Sequence, residues 1–283
     1  MGYFFTTLAR FFEGAIVSVG AHLTISLGGI FLFGLPTMYA LGAYAFVVCQ
    51  KFGLGSGLSF LITLGLVLLV SLVFILAYWK LSNESLAIFT LISVLAFDAV
   101  VKSWDSVTGG VLGIAGVARP SALQTLGQLV FWEGALIVII LTLEYFFLKT
   151  KFGRALLGMR ENIPLVQSLG ISSKKLGAAM ILVASILAAL AGLLTVWRIQ
   201  FLDPSIAGMV VLIQVVTVGI LAVKPKVSWL IGAALFVTLV PEILRLFDLP
   251  STMVGNLRVL LYAVILIVAL RSLKGWLAPK RFV

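Results

Sequence analysis

The sequence predicts an all-α, polytopic membrane helical bundle of about eight or nine transmembrane segments, some of them broken or re-entrant. Three observations carry that expectation. Of 283 residues, 62% are hydrophobic and only 11% charged, with a mean hydropathy of +1.22, whereas an ordinary soluble domain has about 25% charged residues. Apolar runs near the roughly 20 residues that cross a bilayer recur along the whole chain. No stretch of about 50 residues is polar enough to fold apart in water, so residues 1–283 read as one membrane domain.

Nine apolar segments follow in order, at 14–34, 35–50, 58–78, 86–101, 129–148, 176–197, 208–223, 227–246 and 257–270. Those at 35–50, 86–101 and 208–223 are short, which fits tilted, broken or re-entrant helices. Only FGLP separates the first two. Pro36 removes a backbone donor there and Gly34 frees the turn. Such a break survives at membrane depth only where protein or a water cavity satisfies the freed backbone groups. The stretch GAAMILVASILAALAGLL, 177–194, carries Gly177, Ala184, Ala188, Ala191 and Gly192. Small residues let helix backbones approach closely, so this helix is expected to pack among others. No internal repeat is evident.

The net charge of +10 does not read as nucleic-acid binding. The basic residues cluster in loops between apolar runs, the pattern of topology and anionic headgroup contact. Placing the loop 149–175 in the cytoplasm puts Lys80, Lys149, Lys151, Arg154, Arg160, Lys174, Lys175, Lys224, Lys226, Arg271, Lys274, Lys280 and Arg281 inside. Arg10, Lys51, Lys102, Arg119, Arg198, Arg245 and Arg258 fall outside or at the outer interface. The C-terminus is then cytoplasmic and the N-terminus extracytoplasmic. The start of the chain lacks a basic region followed by a cleavage site, so no removable signal peptide is expected. Cys49, the single cysteine, reads as a small buried hydrophobe.

The insert KFGRALLGMRENIPLVQSLGISSKK, 151–175, holds five of the twenty basic residues. It is expected to form two short helices. Leu156, Met159 and Ile163 recur near helical spacing, with Arg154, Arg160 and Glu161 on the polar side. Pro164 suits the start of the second helix, Gly170 its C-terminal cap, and Ser172 or Ser173 the N-cap of the next membrane helix. On the residues alone, two readings stand: an amphipathic interfacial loop, or a docking element for a cytoplasmic partner.

Asp98, Glu133, Glu144 and Glu242 lie in or at the edges of spans, where an ionised carboxylate needs a partner or a cavity. Asp98 and Lys102 are four apart and Glu242 and Arg245 three apart, so each pair can meet on one helix. His22 is expected to pack or to hydrogen-bond between helices. One His and one Cys do not make a metal site, and the chain lacks the G-x-x-x-x-G-K-[ST] loop that cradles ATP phosphates. No catalytic residue, metal or bound cofactor is expected. TGGVLGIAG, 108–116, reads as a tight external or re-entrant loop.

These stretches resemble one family. KFGRALLGMRENIPLVQSLGI is similar to the cytoplasmic loop of permease subunits of bacterial ABC importers of the branched-chain amino acid type, in Phe152, Gly153, Arg154, Ala155, Leu156, Arg160, Glu161, Leu169, Gly170 and Ile171. GLPTMYALGAYAF (34–46), SVTGGVLGIAGVARP (106–120) and LVPEILR (239–245) resemble further stretches of that family, in the same order. The chain departs at VGILAVKPK, which retains only Gly219 of a glycine-rich motif, and at Leu35, where the family has a polar residue. Its start resembles the H-type branch more than the M-type.

The resemblance implies a permease with the loop 149–175 as coupling element. Phe152, Gly153, Arg154, Arg160, Glu161, Leu169 and Gly170 would engage a cytoplasmic ATPase. It implies a translocation path near Gly42, Tyr44, Thr108, Gly109 and Gly110. ATP and Mg would sit on two partner ATP-binding subunits. The other implied partners are a second permease, homologous or a copy of this chain, an extracytoplasmic solute-binding protein and lipid of the bacterial inner membrane; no nucleic acid is implied. The solute would be a branched-chain or other hydrophobic amino acid. The competing readings are an ATP-independent secondary transporter, which needs no basic insert, and a membrane scaffold, which needs no broken helices.

Overall fold

The computed structural model describes residues 2–120, 123–245 and 251–272; the side chains of 240–256, 258, 259, 269, 270 and 272 lie outside that description. Helix α1 (Gly2–Ala21) runs into a wider π-helical turn, His22–Leu27. Next come α2 (Leu35–Lys51), α3 (Ser56–Lys80), α4 (Asn83–Ser103), the short α5 (Asp105–Thr108) and α6 (Leu126–Lys149). The insert forms α7 (Lys151–Glu161) and α8 (Ile163–Ser168). The chain continues through α9 (Ser173–Ile199), α10 (Met209–Leu221), α11 (Val227–Arg245) and α12 (Ser251–Ser272). A two-residue antiparallel pair, β1 (Ile114–Ala115) with β2 (Phe201–Leu202), is the only β structure among the described residues.

Among the described residues, five helices are long and apolar enough to cross a membrane: Gly2–Leu27, α3, α4, α6 and α9. At 1.5 Å per residue, α10 reaches only about 20 Å, short of the roughly 30 Å hydrocarbon core. The 3₁₀ turn Pro204–Ala207 precedes it, with Pro204, Ile206 and Ala207 buried, so non-helical chain sits inside protein rather than in lipid. This is a broken element of the kind expected for 208–223.

The first helix differs from its expected bounds. It starts at Gly2 instead of residue 14, because its polar groups are satisfied within the protein: Thr6 bonds back to the Gly2 carbonyl at 2.9 Å, and Glu13 is paired in the core. It also ends earlier. Gly29, at φ +63°, lies in a non-helical link over 28–34. Asn83 and Thr90 of α4 close the backbone of that link, with Asn83 Nδ2 donating to the Gly29 carbonyl at 2.6 Å. The Phe31 and Phe33 N–H groups donate to Asn83 Oδ1 and Thr90 Oγ1 at 3.0 and 3.1 Å. Pro36 falls in the first turn of α2, where its missing N–H costs nothing.

The centre of the bundle is α1, α2 and α9, whose side chains are largely buried. The outer faces of α3, α4 and α6 present exposed Leu61, Leu69, Ile88, Phe131, Val138 and Leu143. The small residues of α9 act as expected: a side chain at Gly42 would run into the Ala189 backbone, and one at Gly192 into the Tyr39 carbonyl. The α2–α9 crossing therefore requires backbone-to-backbone approach.

The chain alternates between two ends. Tyr78 and Trp79 bond the Ser173 and Lys174 carbonyls, Asn83 meets Gly29, and Arg160 meets the Ser26 and Val223 carbonyls at one end. At the other, Lys51 bonds the Ser106 carbonyl, β1 pairs with β2, and Arg119 donates to the carbonyls of Trp197 and Arg198. The first end carries Lys80, Lys149, the basic residues of 151–175, Lys224 and Lys226. The second carries Lys51, Lys102, Arg119 and Arg198, in the grouping the charge pattern predicts. The Glu242–Arg245 pair, Arg258 and the basic residues from 274 on lie outside the described residues or side chains.

Candidate functional site

The insert at the basic end is built from capped pieces. Thr150 caps α7 by accepting from the Gly153 N–H at 3.1 Å, and Asn162 caps α8 by accepting from the Leu165 N–H at 3.1 Å, with Pro164 in the first turn. Gly170, at φ +78°, closes α8 in the left-handed conformation that favours glycine. Ser172 then caps α9. Pro164, Gly170 and Ser172 act as the sequence predicts, while the Thr150 and Asn162 caps are seen only in the structure.

The insert has two faces. Gly153, Ala155, Leu156, Met159 and Val166 are buried. Gly153 lies so close to the Phe147 carbonyl that only hydrogen fits there, which folds α7 back against the end of α6. The other face exposes Phe152 (46%), Ile163 (46%), Leu165 (59%) and Leu169 (71%), together with Arg154 and Glu161. Ile163 therefore leaves the apolar stripe expected for it, because the chain breaks at Asn162 and α8 starts a new direction. Arg154 turns back to the Lys149 carbonyl at 2.8 Å. Bulky apolar side chains thus stand beside Arg154 and Glu161 on one exposed face.

Arg160 does not share that face. Its guanidinium reaches inward, donating from Nη1 to the Ser26 carbonyl at 2.7 Å and, more distantly, to the Val223 carbonyl at 3.5 Å. Burial lowers its pKa and neighbouring Glu161 raises it.

At the opposite end, the residues expected along the path fall into two groups. Gly42 serves the α2–α9 crossing. Tyr44 is buried beside it, its ring edge-on to Phe97 of α4 and its hydroxyl without a hydrogen-bond partner. Thr108 donates to the Val101 and Trp104 carbonyls, both at 2.7 Å, and so caps α4. Gly109 and Gly110, at φ +78° and +56°, reverse the chain over that cap. The loop 108–116 is a tight turn, fastened to the chain after α9 through β1 and β2. Beside it an open cleft is lined by Gln50, Lys51, Ser56, Ile114 and Val117.

The bundle interior holds polar groups that the sequence placed only singly. Glu13 of α1 accepts from Arg198 Nε and Nη2 at 2.7 and 2.9 Å and from Thr195 at 2.8 Å. His22 meets Glu144 at 2.5 Å through Nδ1 and the Lys224 carbonyl at 3.2 Å through Nε2, the interhelical bonding expected of it. Glu133 is buried with both carboxyl oxygens unpartnered. Asp98 pairs with Lys102 at 2.7 Å within α4. No local signal announces the Glu13–Arg198 pairing, since the two are 185 positions apart. Among the described residues no group of three His, Cys, Asp or Glu side chains is placed to hold a metal ion.

Residues 3–270 match the family described as the branched-chain amino acid transport system permease component. This chain belongs to that family. The permease is 26% identical over 282 residues to the high-affinity branched-chain amino acid transport system permease protein LivM of Salmonella typhimurium, and 24% identical over 282 residues to its namesake in Escherichia coli. In each case 87% of this permease and 65% of the relative are covered, so the chain spans slightly under two thirds of the length of these relatives. No solved structure matches it significantly.

Proposed function

We propose that this permease is a membrane-spanning subunit of an ATP-driven importer for a small solute, a branched-chain or other hydrophobic amino acid. In this reading the basic end faces the cytoplasm, the C-terminus is inside and the N-terminus outside, in a bacterial inner membrane. The observation that carries the reading is the α7–α8 insert: a rigid, capped helical pair, rooted in the core, that presents Phe152, Arg154, Glu161, Ile163, Leu165 and Leu169 outward at the basic end. Its exposed apolar side chains fit a groove on a cytoplasmic ATPase better than they fit water. ATP and Mg would be held by two such ATPase subunits. A second permease and an extracytoplasmic solute-binding protein complete the assembly, and the loop 105–116 with the adjacent cleft borders the outer mouth. Closure of the ATPases would push α7–α8 and shift the helices between outward- and inward-open states.

The test is purification of the native complex, identification of its chains, and ATP hydrolysis in lipid vesicles with and without leucine, isoleucine, valine and a polar control such as lysine. The expected result is co-purified ATPase whose hydrolysis rises with a branched-chain amino acid and binding protein. Solute uptake driven by an ion gradient, with no ATPase bound, would establish a secondary transporter instead.

A further inference from the structure

We propose that Arg160 is not a contact to the motor subunit but a latch, a positioning residue that couples the motion of α7 to the carboxyl ends of two membrane helices at once. This rests on the ATP-driven reading above. The α1 helix ends in the π-helical turn His22–Leu27, and α10 ends at Leu221. The last carbonyls of any helix lack intrahelical donors and carry the negative end of the helix dipole. These two ends converge beneath α7. The Arg160 guanidinium is placed between them, on the Ser26 carbonyl at 2.7 Å and, two residues past the end of α10, the Val223 carbonyl at 3.5 Å. Both bonds leave Nη1, whose two hydrogens can serve two acceptors.

Three further ties bind the same three elements, and a fourth adds α6. The Ser26 hydroxyl donates to the Gly219 carbonyl, joining the π turn to α10. His22 Nε2 meets the Lys224 carbonyl at 3.2 Å, and its Nδ1 meets Glu144 of α6. Gly29, just past the π turn, lies against the Cα and Cγ atoms of Arg160. A π turn is a strained local widening that often marks a functional site. Here it is the point where the insert grips the core. A push on the exposed face of α7–α8 therefore displaces α1 and α10 together, while α6 is held through the His22–Glu144 contact. Phe152, Arg154 and Leu169 bind the motor, and Arg160 transmits its stroke.

The experiment uses the full complex in a Cys49→Ala background, with Ser205→Cys as an outer-end reporter of maleimide reactivity. ATP, Mg and vanadate are expected to change that reactivity severalfold in the parent complex. Arg160→Met is expected to keep the ATPase subunits bound but reduce the nucleotide-driven change to less than a third. Arg160→Lys restores part of it. Arg154→Glu has the opposite signature, losing the ATPase itself. An undiminished reactivity change in Arg160→Met overturns the latch, and so does loss of bound ATPase in that variant, which would return Arg160 to the docking face. Should Arg160→Met fail to assemble, Arg160→Lys and Ser26→Ala decide: each is expected to weaken the response with full ATPase binding, and a normal response in both overturns the proposal. A parent complex without ATPase removes the importer reading and the latch with it.

Discussion

Glu13 and Arg198 hold each other in a two-pronged ion pair inside the bundle, Nε to Oε1 at 2.7 Å and Nη2 to Oε2 at 2.9 Å, with both side chains more than nine-tenths buried. The pair fastens the first membrane helix to α9, and Thr195 closes a further lone pair of the carboxylate. Removing one partner leaves a buried charge uncompensated, at a cost of about 3–5 kcal/mol, whereas replacing both with apolar side chains is often neutral. Glu13→Leu and Arg198→Met are each expected to lower the thermal stability of the purified protein sharply. The double variant is expected to be more stable than either. Additive losses across the cycle would show that the two do not act as a pair.

Gly42 and Gly65 make a second contrast. A Cβ on Gly42 meets the Ala189 backbone, while one on Gly65 of α3 meets nothing. Gly42→Val forces two helix backbones apart, and overpacking of this kind costs about 1–3 kcal/mol or more. Gly65→Ala is expected to be neutral or mildly stabilising, by up to about 1 kcal/mol. Thermal aggregation monitored by size-exclusion chromatography in detergent separates the two; equal behaviour would refute the tight α2–α9 crossing.

Sidedness is checked with single cysteines in the Cys49→Ala background. Ser172 and Ser205 are exposed at opposite ends of the bundle. A membrane-impermeant maleimide is expected to reach Ser172→Cys only from the cytoplasmic side and Ser205→Cys only from outside. The reverse result at both positions would invert the topology.

The docking face is tested by charge. Truncating a buried, charge-assisted interface contact typically costs about 2–5 kcal/mol, whereas an exposed loop charge contributes about 0–1 kcal/mol. Arg154→Glu and Leu169→Glu are therefore expected to strip the ATPase from the complex while the membrane domain remains folded. Unchanged ATPase co-purification in both would leave α7–α8 as an interfacial loop.

A path residue needs a more careful variant than its position in the sequence indicates. Gly109 sits at φ +78°, so Gly109→Val strains the backbone whatever the loop does in transport. Thr108→Ser keeps the hydroxyl that caps α4 while removing a methyl group. It is expected to preserve assembly, and its effect on leucine uptake reports on the mouth of the path rather than on folding.

Much of this molecule is written in short-range sequence signals. Hydropathy marks the spans, and Ser172, Pro164 and Gly170 place the helix ends of the insert within a residue, because capping and φ preferences act over about four positions. Charge segregation places Lys80, Lys149, Lys174 and Lys224 at one end, because successive apolar helices carry their loops to alternate ends. What only the tertiary structure decided is which polar groups meet. Helices such as α9 are apolar nearly all round, so periodicity does not specify their rotation, and a side chain's partner depends on that rotation. For this reason Glu13 finds Arg198 across the bundle, and Arg160, which shares a short amphipathic helix with Arg154, turns inward to two helix ends while Arg154 stays at the surface.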